Sequence, residues 1–233
     1  MPTGVRVAGG LGLVGALILG PMSVGYAAGL GGLNSVDLLT RSGEPSVGAT
    51  MSDDFNTKSN ADLSGRTLDG GQTWAATTGD FRLDKRRNWL TAQNANSPLS
   101  LATLPWPSLP STRVESNIAG LGAGQFGLLL HADRQALTGV ALRFLSSGQV
   151  EIARLHNGNW ATLASTTSSS TGAWSLTYDR GTYTADLRGT PMLSYTATPA
   201  QASAGPACSD VGVFVEGPNA TDAAWKSISV DAP

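Results

Sequence analysis

From Met51 onward, apolar and polar positions alternate with a period close to two. In Thr112–Ile118, Val114, Ser116 and Ile118 fall on one side, and Arg113, Glu115 and Asn117 on the other. Successive side chains of a strand point to opposite faces, so this segment predicts a strand with one buried and one wet face. The pattern recurs at Phe126, Leu128 and Leu130, at Val140, Leu142 and Phe144, and at Val150 and Ile152. It returns at Trp174, Leu176 and Tyr178, at Tyr183, Ala185 and Leu187, and at Val211, Val213 and Val215. In the last segment Trp225, Ser227 and Ser229 alternate with Ile228 and Val230. Turns are predicted at Gly120–Gly124, Ser146–Gly148 and Asp179–Gly181. Asn157-Gly158-Asn159 predicts a tight hairpin within Leu155–Leu163, because Asn and Gly tolerate positive φ. No window beyond Met51 sustains a 3.6-residue period. Turn signals recurring every 8–12 residues or so indicate an all-β, antiparallel two-sheet sandwich.

The first residues follow another logic. Arg6 is the one charge before an apolar run from Val7 to Leu19, which Gly20 and Pro21 break. Small residues follow, with Gly25 and Ala27 at the −3 and −1 positions of a cleavage site. This order is that of a secretory signal peptide over residues 1–27, with cleavage after Ala28 an alternative. The run falls short of the roughly 20 residues needed to cross a bilayer. An uncleaved segment acting as a membrane anchor is the second reading. Export places the protein in the secreted or cell-surface compartment. Residues 28–50, rich in Gly and Ser with a patch at Val36, Leu38 and Leu39, form a linker or arm. The sandwich domain is expected over 51–233.

Composition supports this division. Charged residues make up 14% of the 233, and glycine fills 29 positions. That fits short strands joined by turns and not a charged helical bundle. The net charge of −2 and the absence of a basic stripe argue against a nucleic-acid partner. The basic run Lys85–Arg87 reads as a solvated hairpin tip. The single cysteine, Cys208, excludes an intramolecular disulfide. It is either a buried small hydrophobe or an intermolecular bridge.

The segment Asp53–Asp84 contains an Asp-Phe opening, then LSGRTLDGGQTW, then GDFRL. Later come RVESNI, GQFGLLLHAD, GVALRFLSSGQVEIARLHNGNWATL, GAWSLTYDRGTYTADLRGTPM and DVGVFVEGP before WKSISV. In this order the series resembles the concanavalin A-like lectin/glucanase (laminin G-like) jelly rolls of exported bacterial, in particular actinobacterial, proteins. The resemblance spans about residues 51–233. It implies a twisted sandwich of about 12–14 strands whose concave face or loops bind glycans or proteins, sometimes with calcium. That family spans lectins, hydrolases, lyases and spacers, so the fold alone leaves function open.

The chemistry is sparse. Hydrolases of the superfamily carry E-x-D-x-x-E on one strand, which sets an acid and a nucleophile about 5–5.5 Å apart. The motif is missing: Glu115 and Glu151 stand alone on their strands, and Glu44 and Glu216 lie in loops. The histidines, His131 and His156, have no G-x-S-x-G partner and read as strand-end residues. Asp53 and Asp54 open the first strand and Asp231 lies in the last. First and last strands are often neighbours in such sandwiches, so a calcium site there is one reading and turn capping the other. No other cofactor is indicated. Asn219-Ala220-Thr221 matches a glycosylation acceptor, which matters only in a eukaryotic host.

Six tryptophans complete the inventory. Trp74, Trp174 and Trp225 lie in apolar strands and are assigned to the core. Trp89, Trp106 and Trp160 follow the basic run, sit within Pro105–Pro110 and follow the Asn-Gly turn, respectively. These three are expected to be exposed, with Arg86, Arg87, Asn88 and Trp89 forming the main ligand-binding surface. The readings in order are a non-catalytic module binding a glycan or surface protein, a structural subunit reaching a neighbour through its 28–50 arm, and a glycan-active enzyme with an atypical site.

Overall fold

The computed structural model describes residues 49–77, 80–93, 98–121, 124–198, 210–217 and 222–233. The expected signal peptide, nearly all of the arm, Glu44, Cys208 and Asn219 lie outside them.

The short early strands are β1 (Thr50–Asp53), β2 (Ala61–Asp62), β3 (Ala75–Ala76), β4 (Phe81–Asp84), β5 (Trp89–Ala92) and β6 (Ser100–Leu104). The next run is longer: β7 (Ser111–Gly120), β8 (Gln125–Asp133), β9 (Thr138–Phe144), β10 (Gln149–His156) and β11 (Asn159–Thr167). The last five are β12 (Gly172–Asp179), β13 (Thr182–Leu187), β14 (Thr190–Thr196), β15 (Asp210–Glu216) and β16 (Ala224–Asp231). No α-helix occurs among the described residues. One sheet runs β14-β13-β12-β7-β16-β5-β4-β2, and β1 joins β16 beyond the end of β5. The other runs β11-β10-β9-β8-β15-β6-β3. Every pairing is antiparallel. The architecture is a two-sheet jelly-roll sandwich.

Alternation decides what is buried. In β7, Thr112, Val114, Ser116 and Ile118 turn inward while Arg113, Glu115 and Asn117 are partly exposed. Between the sheets runs a line of rings. Trp225 meets Phe81 at 6.3 Å and Phe126 at 5.5 Å, Phe126 meets Phe144 at 5.1 Å, and Phe144 meets Trp174 at 5.3 Å. Trp74, Trp174 and Trp225 are all in the core, as expected. The parity expected for the last strand is corrected, however. The register jumps from Trp225↔Ile118 to Ile228↔Ser116, a bulge that lets Trp225 and Ile228 both face inward and leaves Lys226 outside.

The Asn157-Gly158 turn forms as expected, with φ of 49° and 76° joining β10 to β11. Gly212 in β15 is required for another reason. A Cβ there would stand 2.0 Å from the Ala102 carbonyl oxygen on β6. Backbone cannot yield as a side chain does, so Gly212→Ala is expected to lower stability by about 2 kcal/mol. A lower urea midpoint than wild type checks this.

Among the described residues, the ends of both strand orders are short or irregular, and β1, paired only with β16, is four residues long. β2 and β3 end their sheets with two residues each. The two long edges are each broken by a bulge. On β11 it falls at Leu163, between the pairs Ile152↔Ala164 and Ala153↔Thr162. On β14 it falls at Met192, between Ala185↔Leu193 and Asp186↔Pro191. Short strands, bulges and proline are the usual devices that keep a sheet edge from pairing with another chain.

Candidate functional site

The expected Arg86–Trp89 surface is the tip and first outward residue of the β4–β5 hairpin. Register pairs Asp84 with Trp89 and Arg82 with Thr91. Leu83 and Leu90 are buried, so the residues alternating with them face out. Lys85–Asn88 make the turn, closed by Asn88 at φ 52°. The tip is pinned at its base: Lys85 N donates to Asn60 Oδ1 at 3.0 Å, and Arg86 N to Asp84 Oδ1 at 2.8 Å. Lys226 arrives from the bulge in β16. Its Nζ lies 5.6 Å from the Trp89 ring centre, and the Arg87 guanidinium carbon lies 5.3 Å from it. Such contacts are worth about 0.5–1 kcal/mol each at an exposed site. The Trp89 ring is half-buried, and its Nε1–H donates to no protein group among the described residues.

Four of the other indoles donate to protein groups. Trp74 donates to Asp53, Trp106 to Thr112, Trp160 to Glu216 and Trp174 to the Ser170 carbonyl. Trp225 is wholly enclosed by the core, and its Nε1–H has no partner there. Two expectations are therefore corrected. Trp106 is only 6% exposed. Pro105, Pro107 and Pro110 take the surface and turn Trp106 and Leu109 inward. Proline has no N–H to satisfy and can lie outside without a partner. Trp160 is not a free platform either. Its Nε1 donates to Glu216 Oε2 at 2.6 Å, its ring packs 4.8 Å from Phe214, and Arg143 lies 4.5 Å over it.

Arg143 is the hub of a network that inspection of single strands misses. Its Nη1 donates to Glu151 Oε2 at 3.0 Å, and its Nη2 donates to Gln125. Thr162 Oγ1 donates to the same Glu151 oxygen at 3.1 Å. Burial lowers the basicity of the guanidinium, and Glu151 and Glu216 act against that. Alternation places Arg143 and Glu151 outward, yet both are buried, beside an apolar cluster of Leu101, Leu129, Ala141, Leu155 and Phe214. The signal that would have found them is their register, Arg143↔Glu151 across two adjacent strands.

The expected metal ligands do not converge. β1 and β16 are neighbours as anticipated, but Asp231 lies opposite Thr50 while Asp53 lies opposite Ile228. Asp53 is saturated with donors: Arg66 Nε and Nη2, each at 2.9 Å, Trp74 Nε1 at 2.9 Å and Phe55 N at 2.8 Å. A carboxylate so occupied has little left for a cation that needs six or more oxygens. Asp54 accepts from Asn56 N at 2.9 Å, a local turn contact. Asp231 lines a shallow depression of about 320 Å³ with Thr50, Ser52, Arg113, Glu115 and Ser229. No cluster of three or more His, Cys, Asp or Glu side chains suited to a metal occurs among the described residues. Glu115 is paired with Arg113, Glu151 with Arg143, and Glu216 with Trp160.

No family model matches the chain, and no curated protein matches its sequence. Solved structures do. A Bacillus subtilis protein of unknown function with a galectin-like fold superposes with a TM-score of 0.52 at 11% identity, covering 78% of this chain and 98% of that one. The exoplasmic/lumenal domain of VIP36 in its Ca2+/Man2-bound form gives 0.51 at 11% identity, over 74% and 86%. Its metal-free form gives 0.50 at 11%, over 74% and 90%. Bound and metal-free forms match alike, so the likeness concerns backbone architecture and carries nothing about calcium. At this identity it shows fold alone: the chain is an antiparallel two-sheet jelly-roll sandwich.

Proposed function

We propose that the chain is a non-catalytic glycan-binding module working outside the cell, with Trp89 as its stacking platform. The observation that carries this reading is the state of Trp89. It is the tryptophan whose ring is partly open and whose N–H is unspent, and it stands on an outward sheet face. The apolar face of a sugar ring stacks on indole while hydroxyls take the polar tip. Thr91, Arg82 and Asp84 neighbour it on the hairpin and supply donors and acceptors. The fold supports the reading at the level of class, since VIP36 is solved with Man2 bound. Export is supported by the charge, apolar run and small-residue site of residues 1–27. The non-catalytic part is supported by Glu115, Glu151 and Glu216, each held by a cation or an indole.

The test is a glycan array probed with the full chain. Trp89→Ala is expected to weaken binding at least about tenfold, or about 1.4 kcal/mol. Trp106→Phe, a change inside the core, is expected to leave binding intact. Equal binding by wild type and Trp89→Ala would reject the site. New reducing ends on any polysaccharide incubated with the protein would reject the non-catalytic part. In the rival reading, the arm of a neighbour adds a strand to this sandwich. That reading meets edges that are short or bulged.

A further inference from the structure

Resting on that reading, we propose that the glycan held at Trp89 is acidic, a polysaccharide recognised through its carboxylate or sulfate groups. The chain has 15 lysines and arginines and a net charge of −2. Arg82, Lys85, Arg86, Arg87 and Lys226 all lie exposed on the β4–β5 hairpin and the strand beside it. Of these, only Arg87 comes within ion-pair distance of a carboxylate, Asp84 at a long 4.0 Å, although Arg82 stands opposite Asp62 in the β2–β4 register. Arg82, Lys85, Arg86 and Lys226 make no ion pair and no side-chain hydrogen bond among the described residues. The carboxylates of this face, Asp84 and Asp62, are already used by main-chain donors: Asp84 accepts from Arg86 N and Asp62 from Ser64 N. An acidic chain thus gathers like charges at one place where they repel and where the fold makes no use of them. A ligand bearing repeated negative charge supplies the missing use.

The ring narrows the ligand further. Arg87 and Lys226 rest against Trp89 in the free protein, held by contacts weak enough to be exchanged for an anion. A sugar ring then takes the indole while its acidic substituents take the two cations. A membrane surface fits less well, because interfacial binding needs apolar side chains to bury. Leu121, between β7 and β8, is the exposed large hydrophobic residue among those described, and it is not on this hairpin. A nucleic acid fits less well too. One open ring offers one stacking position, and the acidic remainder of the chain repels a long polyanion.

The experiment measures affinity of the full chain for polygalacturonate, its fully methyl-esterified form, chondroitin sulfate and dextran, at two salt concentrations. Binding to at least one of the two acidic polymers is expected to exceed that to the esterified polymer and dextran at least tenfold, and to weaken with salt. The combined variant Lys85→Gln, Arg86→Gln and Lys226→Gln is expected to lose at least tenfold on the acidic polymer and much of the salt dependence, with an unchanged melting curve. Equal binding to neutral and acidic polymers would overturn the inference while leaving the glycan reading standing. Binding to none would overturn both. Equal binding to phosphatidylserine vesicles or to an oligonucleotide at the same salt would overturn the inference by reducing the patch to plain charge attraction.

Discussion

Asp53→Ala is expected to lower the unfolding free energy of the sandwich by about 4 kcal/mol. Asp53 is buried and joins three parts of the chain. Its two oxygens hold the Arg66 guanidinium, the Trp74 indole N–H and the Phe55 main-chain N–H, each at 2.8–2.9 Å. Alanine leaves the Trp74 and Phe55 N–H groups without their acceptor in the interior, while Arg66, 24% exposed, keeps the Asn56 carbonyl and water. Each interior donor left unpaired costs about 1–3 kcal/mol, and the partly exposed Arg66 adds less. Urea unfolding followed by tryptophan fluorescence measures the loss. Two controls separate mechanism from general damage. Asp54→Ala, at the exposed neighbour, is expected to stay within about 1 kcal/mol of wild type. Removing both partners, as Asp53→Ala with Arg66→Leu, is expected to cost less than Asp53→Ala alone. If the double variant is worse, the ion pair is not what Asp53 provides.

The second large effect is set by pH. His131 is enclosed by Tyr178 and Tyr183, with ring centres 4.7 and 6.0 Å away, and its Nε2 has no hydrogen-bond partner. Burial lowers its pKa to about 4. The folded protein therefore refuses a proton that the unfolded chain accepts below about pH 6.5. The contribution of neutral His131 is whole above pH 6.5 and is lost as pH falls from there through about 4. The full loss approaches about 3 kcal/mol. Urea midpoints taken between pH 7.5 and pH 4 measure it. His131 sits at φ 54°, where asparagine is also tolerated. His131→Asn is expected to lower stability at every pH, through lost ring contacts, while flattening the slope between 6.5 and 4. An unchanged slope would assign the pH dependence to the carboxylates instead.

These two residues also mark how far the sequence could be read. Alternation located the strands because burial on one face leaves a period of two, as Val114, Ser116 and Ile118 show. The Asn157-Gly158 turn was legible because positive φ is a local requirement. What failed was non-local. Trp225 and Ile228 share a face only because β16 bulges between them, and a bulge leaves no mark in composition. The burial of Trp106 is not legible because the period of two stops in a proline-rich segment. Trp89 and Trp160 carry the same local cues, each beside a polar turn. They differ in what lies across the sheet, Lys226 for one and Arg143 with Glu216 for the other. In the sequence Asp53 is a carboxylate at a strand start. Its meaning depends on Arg66 and Trp74, which only the folded chain brings to it.

The broken margins of β11 and β14 have a consequence for the molecule in quantity. A net charge of −2 offers little colloidal repulsion between copies. Crowded copies of such a protein would be drawn toward edge-on stacking, the first step of fibril growth. Leu163 and Met192, each one residue too many for its partner strand, take away the straight template that such stacking requires. The sandwich can then be concentrated and remain a set of separate, dispersible particles.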